Sequence, residues 1–209
     1  MQIGGFIPQS LIDYPGKVAA VVFTQGCNFR CGYCHNPALV LPELFSQNKQ
    51  ITILEILAYL HKRRRWLDAI VVTGGEPTIH VNLPDFLFEL KTMGYAVKLD
   101  TNGSNPEMLT YIINHKLADY VAMDLKTILN VTEYSAIIGI PESSAILERI
   151  KQSIAILRQN IIVYEFRTTK IPNVHTPDIM EKMTSLIRNN EQFTINDFRP
   201  GNLINSQFS

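Results

Sequence analysis

Cys27, Cys31 and Cys34 are the only cysteines of the chain, and they stand in one C-x3-C-x2-C run. Thiolates so spaced fold around one point, which suits a 4Fe–4S cube better than any other common use of cysteine. Such a cube has four irons, each normally held by a thiolate, so three thiolates leave one iron open to a small molecule. A structural zinc ion wants a fourth ligand, and His35, adjacent to Cys34, is poorly placed to reach the same ion. A pure electron-transfer cluster would bring a fourth cysteine. Buried, inert thiols would not need this spacing, and an odd cysteine count in one cluster argues against a disulfide framework.

Other polar residues gather where predicted strands end: Gly74-Gly75-Glu76-Pro77, Asp100-Thr101-Asn102-Gly103, Asp124-Leu125-Lys126, Arg167-Thr168-Thr169-Lys170 and Arg199-Pro200-Gly201. Each has a plain reading by itself. Two glycines make a tight turn, Asn102-Gly103 makes an Asx-type turn, and Asp124 with Lys126 makes a surface ion pair worth little. The functional reading is that the glycines let backbone approach a ligand closely and Glu76 accepts from an ammonium group. Asp100 and Asp124, on adjacent strands, would hold a cation, and Lys126 a carboxylate or ribose hydroxyl. Ligands of parallel α/β proteins bind at the carboxyl ends of the strands. Agreement among all these ends, with the cysteines on the same rim, favours one shared site.

The elements that must carry these ends alternate. Apolar runs predict strands over 19–24, 69–72, 95–99, 120–123, 161–167 and 192–198. Helical periodicity predicts helices over 52–62, 83–92, 106–115, 144–159 and 177–189, with Thr52 and Glu55 spaced as a capping box. Repeated strand-then-helix implies a parallel sheet, and six units fall short of the eight in a complete barrel. The expected fold is therefore α/β, a partial, open parallel (β/α)6 barrel, with a doubly wound sheet as the second choice. One domain is expected over 1–209, with a polar tail at 202–209. At 209 residues and 46% hydrophobic, the chain can bury such a core, and its formal net charge of zero offers no case for nucleic acid or an anionic membrane. No apolar run is long enough to span a membrane. A cytoplasmic, reducing setting is expected, and an open-iron cluster would also need low oxygen. The basic run Lys62-Arg63-Arg64-Arg65-Trp66 reads as a solvated helix end, and His61, His80, His115 and His175 as ordinary.

The cysteine motif, with Tyr33 before its last cysteine and a Gly-Gly-Glu segment after it, resembles the radical S-adenosylmethionine (SAM) superfamily. Cys34-His35-Asn36, Asp100-Thr101-Asn102-Gly103 and Asp124-Leu125-Lys126 are similar to the glycyl-radical-enzyme activases. The opening Gly4-Gly5-Phe6 and Asp13-Tyr14-Pro15-Gly16-Lys17 look most like anaerobic ribonucleoside-triphosphate reductase activating proteins. The resemblance implies that Cys27, Cys31 and Cys34 ligate three irons of a 4Fe–4S cluster and that SAM binds the fourth. It implies that Tyr33 and His35 lie against adenine, that Gly74 and Gly75 meet the SAM amino group with Glu76 supporting them, and that Asp124 and Lys126 bind the ribose or carboxylate end. Asp100, Thr101, Arg167 and Arg199 complete the expected cofactor-binding set. In pyruvate formate-lyase activases, the aspartates matching Asp100 and Asp124 also help bind a monovalent cation. Those activases carry a histidine near SAM where this chain places Arg199, which argues against that branch. The implied activity is an oxidoreductase: reductive cleavage of SAM that yields a glycyl radical on a partner enzyme. A flavodoxin- or ferredoxin-like protein would donate the electron. The alternatives are a metabolite enzyme like the 7-carboxy-7-deazaguanine synthases, a pyruvate formate-lyase-type activase, or an electron-transfer or structural metal module without SAM.

Overall fold

The computed structural model describes residues 1–49, 51–201 and 203–205. Six strands follow the predicted order: β2 (Ala19–Thr24), β3 (Ala69–Gly74), β4 (Ala96–Thr101), β5 (Tyr120–Asp124), β6 (Val163–Lys170) and β7 (Gln192–Asp197). They are parallel, and their spatial order is their chain order. A doubly wound sheet would reverse its order at a switch point. This sheet does not, so it is wound in one direction as an open partial barrel, with no pairing between its two edges among the described residues.

Strands β2, β3 and β5 read as apolar runs because both of their faces are covered, and β4 does so except for Lys98 and its polar end. Outward residues such as Ala20, Val22, Ile70, Val72 and Leu99 pack on α2 (Ile53–Arg63), α3 (Leu83–Thr92) and α4 (Pro106–Asn114). Further round, Val121, Met123 and Phe166 pack on α5 (Val131–Ile138) and α6 (Ser144–Leu157). The inward face is lined by small residues, Ala19, Val21, Ala69, Val71 and Ala122, with Tyr14 and Tyr120 packed among them. Helix α2 begins with the expected capping box: Thr52 accepts from the Glu55 amide and the Glu55 carboxylate accepts from the Thr52 amide.

Several expectations are corrected. β1 (Ile3–Ser10) was not foreseen; it lies antiparallel on β2 and covers that edge. Its Gly4-Gly5 pair and half-exposed faces hide the strand signal. Helix α1 (Pro37–Val40) was missed, and so was α5, although Asn130 caps α5 and Gly139 ends it in the left-handed conformation (φ 65°). Strand β4 runs on to Thr101 and β6 to Lys170, so Asp100, Thr101 and Thr168 to Lys170 are strand residues rather than loop residues. Pairing with the next strand extends each of them. Helix α7 (Pro177–Ser185) and α6 both end earlier than their periodicity suggested. Of the predicted tail, Asn202 and residues 206–209 lie outside the described residues.

Candidate functional site

The cysteine loop leaves the end of β2 and is tied down by its own backbone. Arg30 folds back so that its Nη1 donates to the carbonyls of Cys27 and Phe29, at 2.7 and 2.8 Å. Its amide donates to Ile138 at the end of α5, and Gly139 has no room there for a side chain, since a Cβ would come within 2.4 Å of the Arg30 carbonyl oxygen. The Cys34 amide closes a turn on the Cys31 carbonyl. Asn28 spans to the neighbouring loop, donating to Ser104 Oγ at 2.7 Å and accepting from Asn102 Nδ2 at 3.0 Å. All three cysteines are free and line one pocket. Burial pushes the Cys27 thiol up to about 12 and the Cys31 thiol to about 11, and raises Cys34 as well, with Lys126 the nearby cation that opposes the shift on each.

The Gly-Gly-Glu segment at the end of β3 is crowded by protein before any ligand arrives. A Cβ on Gly74 (φ 125°) would lie 2.3 Å from the Thr24 amide nitrogen, and one on Gly75 would lie 2.0 Å from the Gly26 carbonyl oxygen. Glycine is therefore required for two loops to pass each other. Glu76 is buried and points into the protein. Its Oε1 accepts from the Thr78 amide and hydroxyl and from Thr101 Oγ1, and its Oε2 accepts from the Asn102 amide at 2.6 Å. Burial raises this carboxyl above its ordinary value, and the four donors offset only part of that rise. Glu76 thus staples the end of β3 to the end of β4; its oxygens are engaged there instead of facing an ammonium group.

On the far wall, charge replaces crowding. Lys126 Nζ donates to Asp124 Oδ2 at 2.9 Å, and Arg167 donates to Asp124 Oδ1 at 3.1 Å and to Asp100 Oδ2 at 3.2 Å. The Asp124–Lys126 pair lines the pocket and is largely buried, so it is not the surface pair of the plain reading. Burial opposes the charge on Asp124, yet Lys126 and Arg167 outweigh it and hold the carboxyl below its ordinary value. Of the carboxylate oxygens that the resemblance assigns to a monovalent cation, Arg167 engages Asp124 Oδ1 and Asp100 Oδ2 and Lys126 engages Asp124 Oδ2, while Asp100 Oδ1 is buried without a hydrogen-bond partner among the described residues. His175, read as ordinary, ties two segments together behind this wall. Its Nδ1 accepts from the Ile171 amide and its Nε2 donates to the Lys126 carbonyl, both at 2.9 Å.

The pocket gathers every expected cofactor residue except Arg199. Arg199 lies outside, where its carbonyl accepts from His35 Nε2 while Phe198 packs on the His35 ring. Asn28, Asn36 and His175 were missed as contributors, since a polar residue inside a loop carries no periodicity. A model of the radical SAM superfamily matches residues 21–185. The chain belongs to that superfamily. It is 33% identical over 99% of its length, and over 83% of the relative's, to a Methanocaldococcus jannaschii protein provisionally named a glycyl-radical enzyme activating enzyme. It is 31% identical to the pyruvate formate-lyase-activating enzyme of Staphylococcus aureus, over 57% of this chain and 50% of that one. Two solved structures share the fold with a TM-score of 0.64: Streptococcus suis SuiB bound to S-adenosylmethionine, at 12% identity, and a radical SAM methyltransferase from Sphaerobacter thermophilus, at 19%. They cover 86% and 92% of this chain, which spans only 42% and 59% of theirs.

As a radical SAM protein, the chain takes a 4Fe–4S cluster and SAM as cofactors. Its donor set fits them: three free thiols lining one pocket, with the Asp124–Lys126 pair in the same pocket. Among the described residues, no group of three or more His, Cys, Asp or Glu is drawn together tightly enough to hold a single metal ion. Three soft thiols lining one pocket suit the irons of a cluster.

Proposed function

We propose that this radical SAM protein is a glycyl-radical-enzyme activase whose partner is an anaerobic ribonucleoside-triphosphate reductase. The observation that carries the chemistry is the convergence of Cys27, Cys31 and Cys34 with Asp124 and Lys126 on one pocket. When bound, the cluster and SAM supply a 5′-deoxyadenosyl radical by one-electron reduction of the SAM sulfonium, the electron coming from a flavodoxin- or ferredoxin-like donor. The chain's own residues anchor and aim. Cys27, Cys31 and Cys34 would hold three irons, the peptide groups of Gly74 and Gly75 would meet the SAM amino group, and Tyr33 and His35 would flank adenine. Asp124 and Lys126 would take the ribose or carboxylate end, while Glu76, through Thr101, keeps the two loops in register. No general base is required, because the step removes a hydrogen atom and not a proton.

The activase reading is supported by the near-full-length similarity to the Methanocaldococcus jannaschii protein. The choice of partner is supported by the opening Gly4-Gly5-Phe6 and Asp13-Tyr14-Pro15-Gly16-Lys17 motifs and by Arg199 in place of the histidine of the pyruvate formate-lyase branch. Residues 1–209 are read as one radical SAM domain working in a low-oxygen cytoplasm, and no helix of the described residues is long and apolar enough to cross a membrane. The test is anaerobic reconstitution with iron, sulfide and SAM under a strong reductant, followed by incubation with an anaerobic ribonucleotide reductase. Formation of 5′-deoxyadenosine together with a glycyl-radical EPR doublet is expected. Cleavage of SAM without the doublet removes the partner, and no 5′-deoxyadenosine at all removes the chemistry.

A further inference from the structure

Arg167 occupies the middle of β6 and enters the barrel between carboxylates from two neighbouring strands. Its Nη1 binds Asp100 of β4 and its Nε binds Asp124 of β5, which is its partner in the β5–β6 register. Both carboxylates are largely withdrawn from water, with side-chain exposures of 13% for Asp100 and 32% for Asp124. Two buried carboxylates on adjacent strands repel, and without a cation one is driven to its neutral form. The sequence continues the pattern in both directions. Toward the cysteines, Asp124 accepts from Lys126 at 2.9 Å. Toward the barrel floor, Asp100 Oδ1 faces Lys98 Nζ at 3.9 Å, a charge contact and not a hydrogen bond, so that oxygen has no hydrogen-bond partner among the described residues; Lys98 donates to Glu165 at 3.2 Å. Glu165 in turn accepts from Thr194 Oγ1 at 2.7 Å and from Gln192 Nε2 at 3.3 Å.

The result is a ladder of alternating sign: Lys126, Asp124, Arg167, Asp100, Lys98, Glu165. Its formal charges sum to zero. Lys98 and Glu165 are almost wholly buried, so this balance is internal and not supplied by solvent. We propose that Arg167 is the resident counter-ion of the Asp100–Asp124 pair, a tethered guanidinium serving where a dissociable monovalent cation would otherwise be needed. Through Asp124 it is a positioning residue that holds Lys126 toward the cysteine pocket. Arginine suits this role because its planar fork reaches two carboxylates at once and stays charged at any working pH. Lysine, a point charge, would serve one carboxylate well and the other poorly.

The inference rests on the radical SAM reading of the pocket, and its test separates the two. The full-length, cluster-loaded protein is titrated with SAM, following the SAM-dependent change in the EPR spectrum of the reduced cluster. Buffers contain N-methyl-D-glucammonium alone, or with added potassium, sodium or guanidinium. Wild type should bind SAM equally in all of them. Arg167→Ala should bind about tenfold to a hundredfold more weakly in N-methyl-D-glucammonium, with unchanged iron content, and regain affinity with guanidinium or potassium. Arg167→Lys should fall between. Adding Asp100→Asn to Arg167→Ala should recover affinity without any added cation, because an amide needs no counter-ion; the two changes would then be non-additive. A wild type that requires potassium or sodium overturns the proposal. So does an Asp100→Asn change that deepens the Arg167→Ala loss, since Arg167 would then act on SAM directly. If wild type shows no SAM-dependent spectrum, the pocket reading fails instead. The ladder is then judged by thermal unfolding, where Asp100→Asn should restore the midpoint lowered by Arg167→Ala and a further drop overturns it.

Discussion

One wall of the pocket, from Gly26 to Glu76, is shaped by backbone crowding, whereas the opposite wall, from Asp100 to Arg167, is shaped by charge. On the first, loops pass so closely that Gly75 has no space for a methyl group, and a buried carboxylate with four donors locks the turn. On the second, side chains of opposite sign face one another across β4, β5 and β6 with partial access to the pocket. Overlapping atoms cannot be compensated by a distant change, so errors on the crowded wall cost the fold. Charges act over several ångströms and exchange partners, so errors on the charged wall cost ligand binding first.

The largest expected effect lies between the walls. Cys31→Ala should abolish cluster assembly, measured as iron and sulfide content after anaerobic reconstitution; retained iron would remove Cys31 from the ligand set. Next comes the cluster-free protein's reaction with iodoacetamide. Because burial lifts Cys27 to about 12, its thiolate fraction at pH 8 should be roughly a thousandfold below that of an ordinary cysteine. The raised pKa favours the protonated thiol, so alkylation should accelerate as pH climbs and jump on unfolding in urea. Fast alkylation of the folded protein at pH 8 would show that Lys126 outweighs burial.

The walls themselves come after. Gly75→Ala should destabilise the fold by about 3 kcal/mol or more in a denaturant titration, since its methyl group has only backbone to push against. A variant as stable as wild type would refute crowding as the shaping force. Glu76→Gln keeps the shape but replaces acceptors with an amide donor, and should cost about 2 kcal/mol with the cluster site weakened. Lys126→Met, on the charged wall, leaves Asp124 held by Arg167, so it should cost less stability than Glu76→Gln while weakening SAM binding by about tenfold. An unfolded Lys126→Met protein would erase the contrast between the walls.

Much of this was legible because parallel strands buried on both faces write themselves as apolar runs, as Ala69 to Val72 and Tyr120 to Met123 do. The strand β1 was not, because Gly4 and Gly5 carry no periodic signal. Lys98 was overlooked although it sits two residues before Asp100, on the same face of β4. A lysine on the inward face of a buried strand signals an internal partner, but nothing nearby names Glu165 as that partner.

Residue types and local spacing alone determined the three-thiol motif, the run of six strands with helices between them and the placing of the polar ends on one rim. These follow from short-range rules: chelate spacing, the two-residue period of strands and the binding of ligands at strand ends. Only the tertiary structure decided what each polar end does. Glu76, at the pocket's edge, spends both carboxylate oxygens on Thr78, Thr101 and Asn102, and Arg167 enters between Asp100 and Asp124. Thr101 lies 25 positions from Glu76 along the chain, and Asp100 lies 67 from Arg167. Strand register and sheet curvature, not sequence proximity, bring such partners within hydrogen-bonding distance.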